Sequence, residues 1–128
     1  MKPLRTIWRL IPLLVILLLF QSSLALAKEG KHKRDWCSRN KGIINHILDD
    51  GSLVDCLTED YAIEFDLAKN WANAVGKALY YSIKTGKKPG VVLIIKKKKD
   101  YEHLKKLLKV SENHDIKVWT MPQIIFVE

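Results

Sequence analysis

No acidic residue precedes Glu29 in this 128-residue sequence, which has only two cysteines, only four prolines and no internal repeat. The missing acids decide the reading of the N-terminus. Lys2, Arg5 and Arg9 are the only charges before Lys28, residues 10–20 are almost unbroken in apolarity, and Ala25-Leu26-Ala27 has the small-x-small pattern that signal peptidase accepts. Residues 1–27 therefore read as a secretory signal peptide, with the exported chain starting at Lys28. The rival is an uncleaved membrane anchor through residues 7–27, since that stretch approaches the roughly 20 residues that cross a bilayer. Gln21-Ser22-Ser23 interrupts it and favours cleavage. After cleavage no transmembrane helix is expected, and the protein belongs to the periplasm or the extracellular space.

The scarcity of cysteine excludes a disulfide-dense scaffold. Cys37 and Cys56 have no zinc-motif spacing, and His32, His46, His103 and His114 are scattered, so neither residue type marks a zinc site. In an oxidising compartment the two cysteines are expected to form one disulfide. Acids are also outnumbered, 14 against 22 basic residues, and losing the signal removes three of the bases but no acid. Such a basic surface favours polyanions: nucleic acid, anionic lipid or cell-envelope polymers.

What remains after cleavage is about 100 residues, the size of one domain. Residues 28–35 are charged and lack apolar periodicity, so they read as a flexible leader before a domain over 36–128. Within it, residues 43–48 and 53–57 are aliphatic strands around the Asp49-Asp50-Gly51 turn, a hairpin. Residues 61–65 predict a third strand. Leu67, Trp71, Ala74, Val75, Ala78, Leu79 and Ser82 then recur at helical spacing, until residues 85–90 end the helix. Trp71 on this stripe reads as core, and of Tyr80 and Tyr81 only one can face inward. Residues 91–95, five consecutive aliphatics, suit a strand covered on both faces. A second helix from Tyr101, a strand at 116–119 and an edge strand at 124–127 complete the order (α)βββαβαβ. The fold class is α/β (α+β), a mixed central sheet flanked by helices.

Asp55 and Glu64 fall where paired strands bring their carboxylates onto one face, and Asp66 follows Glu64 on the same side of its strand. Three converging acids repel unless a cation joins them, and oxygen-only ligation suits Mg²⁺ or Mn²⁺. Lys69, early in the following helix, is placed to stabilise charge on a phosphoryl group. Spacing alone also fits ordinary solvated acids at strand ends.

The run Val54-Asp55-Cys56-Leu57-Thr58, then Ala62-Ile63-Glu64-Phe65-Asp66, then Trp71, Gly76 and Tyr80-Tyr81 resembles the PD-(D/E)xK nuclease superfamily. More closely, it resembles small exported members with a DCLT...AIEFD...KW...GQALYY core. The likeness covers residues 36–120 and implies a restriction-endonuclease-like αβββαβ core. It also implies that Asp55 and Glu64 are catalytic metal ligands, with Asp66 as the third acid at the metal, and that Lys69 is a displaced catalytic lysine, because Asp66 occupies the usual lysine position. RecB-like members carry Gln-x-x-x-Tyr on the helix; Lys77 and Tyr81 take those two places here and are the implied substrate-binding residues. Asn45 stands where a metal-supporting glutamate is expected, and no proline precedes Asp55.

The lysines at 96–99, with Lys105, Lys106 and Lys109, form a basic surface that reads equally as a solubilising face or as one able to follow a phosphate backbone without reading sequence. Two functions stay open. One is an exported Mg²⁺- or Mn²⁺-dependent nuclease-like domain that hydrolyses DNA phosphodiesters. The other is a catalytically inactive domain of the same fold that binds polyanions or a partner protein at the cell envelope.

Overall fold

A computed structural model describes residues 3–123 of the chain, which divides into two compact units, residues 1–35 and 36–128. In the first unit runs most of helix α1 (Pro3–Arg39), whose apolar part is long enough to cross a membrane, a test that a signal sequence also passes. Residues 28–35 are helical and belong to α1, which corrects the flexible leader. Their lysines, single arginine and glutamate are good helix formers that need no apolar stripe to extend a helix already nucleated.

The second unit is built on a five-stranded sheet in the order β1-β2-β3-β4-β5. Strands β1 (Ile43–Ile47), β2 (Leu53–Leu57) and β3 (Tyr61–Leu67) form an antiparallel meander. Helix α2 (Trp71–Thr85) carries the chain to β4 (Lys88–Ile95), which lies parallel to β3; helix α3 (Tyr101–His114) leads to β5 (Lys117–Pro122), parallel to β4. The mixed sheet and flanking helices agree with the expected class. The first turn of the expected helix differs: Leu67 closes β3, and residues 68–70 make one 3-10 turn before α2. At the other end Gly86 caps α2 in the left-handed conformation (φ 69°), but Lys88 already belongs to β4. The edge strand expected at 124–127 lies outside the described residues.

Both faces of β4 are covered, as its unbroken aliphatic run requires. Val91, Leu93 and Ile95 meet Ala74 and Ala78 of α2 and Leu107 of α3, while Val92 packs on the other side with Cys37, Cys56, Ile63 and Phe65. Each such aliphatic side chain contributes roughly 1.5–3 kcal/mol on burial. Trp119 closes that second face edge to face with Trp36 on one side and Tyr61 on the other, ring centroids 5.4 Å apart in both contacts. Gly90 is required there, because a Cβ would come within 2.9 Å of the Trp119 ring. Cys37 and Cys56 are both fully buried and joined by a disulfide, Cα to Cα 5.8 Å, as expected.

Candidate functional site

The candidate site lies where the sheet forks. Asn45, in the middle of β1, adopts a left-handed conformation (φ 54°), which Asn tolerates better than most residues. The β1–β2 ladder pairs Ile44 with Cys56 and His46 with Val54, on either side of Asn45 and Asp55. Regular alternation would put Val54 and Cys56 on one face of β2. Instead Val54 joins Ala62 and Tyr81, whereas Cys56 joins Ile63 and Phe65. The pleat therefore turns over at Asp55.

Pairing between β2 and β3 stops at the same place, its register running Leu57 to Ala62 and Cys56 to Ile63 but not on to Asp55 and Glu64. The freed N–H of Phe65 donates to Asp55 Oδ2 at 2.9 Å, so the side chain supplies an acceptor where the ladder ends. Glu64 points to the helix side of β3 and is only 3 % exposed. From α2, Lys77 Nζ donates to Glu64 Oε1 at 2.8 Å; Tyr81, one turn further on, is buried beside them.

Electrostatics follow from this enclosure. Burial first, and the charge of Asp55 second, push the Glu64 carboxyl up to about 7, against the opposing pull of Lys77. The hydrogen bond to Glu64 is the main cause that raises the Lys77 ammonium. Burial, followed by Glu64, raises the Tyr81 phenol. A glutamate whose folded value lies above its ordinary 4.5 binds more protons folded than unfolded near neutrality, so its contribution to stability is intact below 4.5 and is lost as pH rises through 7. The loss is on the order of 2 kcal/mol. Glu64→Gln should thus match the wild type near pH 4 and exceed it at pH 8, with a flattened profile in between. Urea unfolding across that range checks this, and a variant less stable than wild type at pH 8 would sink it.

Asp66 is on Glu64's side of β3 and adds to its shift, yet its carboxylate is taken up by the following turn. Oδ1 accepts from the Leu67 N–H and Asn70 Nδ2, both at 2.8 Å, and Oδ2 accepts from Asn73 Nδ2 at 3.3 Å. Among the described residues no three His, Cys, Asp or Glu side chains are grouped so as to hold a metal. Lys69 is exposed in the 3-10 turn and lines a different cavity with Lys96, Lys97 and Lys99. The structure thus gathers Asp55, Glu64, Lys77 and Tyr81, and the ammonium that reaches Glu64 is that of Lys77.

Asn45 is exposed, and its visible part in the site is the backbone turn opposite Asp55. Trp71 packs against the helix-side core, as expected. Tyr81 is the inward tyrosine of its pair, and Tyr80 donates its hydroxyl to Asp50. The i, i+4 spacing of Lys77 and Tyr81 was the available sign that one helix face would present both. The chain matches no family model, and comparison with curated proteins and with solved structures returns no match.

Proposed function

We propose that the chain is an exported nuclease-like domain of the restriction-endonuclease-like fold that hydrolyses DNA phosphodiesters with Mg²⁺ or Mn²⁺. The observation that carries this reading is a buried glutamate facing an aspartate at a strand fork, with a lysine ammonium 2.8 Å from it. Dications of this kind are commonly held by one or two carboxylates, with water and substrate phosphate completing the shell, so Asp55 and Glu64 fit as the donor pair. Such an ion supplies an activated water and polarises the phosphoryl group.

The chain's own residues do the rest. Lys77 favours ionised Glu64 near neutral pH and offers positive charge where a phosphoryl group would gain negative charge. Tyr81, its phenol held protonated, is a donor at the same place. Asp66 ties the end of β3 to Asn70 and Asn73 and so anchors the start of the helix that carries Lys77. Export is supported by the apolar N-terminal helix and by a disulfide suited to an oxidising compartment.

A second reading, the catalytically inactive binding domain, is favoured by one observation: Lys77 already neutralises Glu64 while Asp66 is engaged in its turn. One preparation of exported protein separates the two. Its intact mass should start at Lys28, millimolar Mg²⁺ or Mn²⁺ should raise its Tm through linkage, and single- or double-stranded DNA should be cut. Absence of both the shift and the cutting in folded protein overturns the nuclease reading in favour of the second.

A further inference from the structure

At the carboxyl ends of the parallel strands β3 and β4 the chain leaves the sheet twice, and the two departures enclose a cavity of about 550 Å³. That volume is within the range of small-ligand sites. Four lysines line it: Lys69 from the turn after β3, and Lys96, Lys97 and Lys99 from the turn after β4. The one carboxylate that lines it among the described residues, Asp100, is buried and turned inward, Oδ2 accepting the N–H groups of Lys96 at 2.9 Å and Lys97 at 3.1 Å. Asp100 thereby shapes the loop that presents the lysines. His103 lines the same cavity, and its buried Nδ1 has no hydrogen-bond partner among the described residues.

We propose that this cavity is a phosphate-binding site, separate from the Asp55–Glu64 pair, that takes a phosphate group of a nucleic-acid strand or free phosphate. The ammonium groups of Lys69, Lys97 and Lys99, gathered beside a carboxylate committed to backbone, make an anion the complementary occupant. The placement also gives Lys69 a part: it binds the anion with residues 96–99. Phosphate contacts of this kind position a strand without reading its bases.

The test uses the full chain in EDTA, so that it succeeds or fails independently of metal and cleavage. Binding of a labelled single-stranded oligothymidylate is read by fluorescence anisotropy and of inorganic phosphate by NMR shifts. Replacing Lys69, Lys97 and Lys99 together by Gln should weaken oligonucleotide binding about 10-fold and make the salt dependence shallower by about two units of slope. Replacing Lys41, Lys88 and Lys117, exposed lysines outside the cavity and outside the basic surface of residues 96–109, alters the charge equally and should cost no more than about 3-fold. Phosphate shifts at Lys69 and residues 96–99 without oligonucleotide binding would support the site and assign it to free phosphate. Equal losses in the two triple variants, or no binding of either probe by the wild type, would overturn it.

Discussion

Asp55→Asn is expected to abolish the metal-dependent rise in Tm and to lower DNA cleavage by roughly 10²–10³-fold, the range for loss of one charge-stabilising group. The fold should survive, because the Asn side-chain oxygen still accepts the Phe65 N–H that Asp55 Oδ2 holds at 2.9 Å. What disappears is the second charge of the pair. Glu64 then loses the Asp55 repulsion, one of the causes that raise it, so the apo variant should be slightly more stable than wild type above neutrality. A metal ligand is thereby distinguished from a scaffold residue, whose loss would lower stability and activity together. Lys77→Gln should keep the metal shift but lose turnover, since in the proposed nuclease its charge would act on the phosphoryl group. Lys69→Ala should leave kcat intact and change KM. A collapse of kcat in Lys69→Ala with Lys77→Gln unaffected would return the catalytic role to Lys69.

Strands and helices were legible in the sequence where one physical signal dominated. Asp49-Asp50-Gly51 marks a turn whatever surrounds it, and β2 follows with the expected bounds. Five aliphatics in a row, closed off by Pro89-Gly90 before them and lysines after, suit a short strand covered on both faces, and β4 is covered on both. Boundaries were lost where two signals compete: Leu67 continues the helical stripe backward, but the β3–β4 pairing of Leu67 with Ile94 claims it for the sheet. The helical course of residues 28–35 was missed because periodicity reports a buried face, and a charged helix has none to report.

The candidate site was half legible. Period-2 alternation put Glu64 and Asp66 on one side of β3, but it is blind to the turn after the strand, where Asn70 and Asn73 compete for the Asp66 carboxylate. Nor does it see the inversion at Asp55, which depends on a left-handed Asn45 across the ladder. Lys69 and Lys77 are both one helical neighbourhood from the acids in sequence; which of them reaches Glu64 depends on where α2 begins, and the intervening 3-10 turn decides for Lys77.

Loss of the Cys37–Cys56 disulfide is expected to cost about 3 kcal/mol, the chain-entropy value for a loop whose ends are 19 residues apart. For a domain of this size each kcal/mol moves Tm by roughly 4–8 °C, so the drop should exceed 10 °C. More than loop closure is involved. Cys37 and Cys56 are fully buried in the cluster with Ile63, Phe65 and Val92, and Gly42 packs so near both sulfurs that any side chain there would collide with them. Cys56 also directly follows Asp55, on the short stretch of β2 that still pairs with β3 before the fork. Releasing it should loosen the register that sets Asp55 across from Glu64, so cleavage should fall further than the stability loss alone explains. The comparison is between wild type and the Cys37→Ala/Cys56→Ala double variant, both assayed at a temperature where each is folded. Labelling of both thiols in unfolded, unreduced wild type, or a double variant with unchanged Tm, would refute the bridge as the support of this strand.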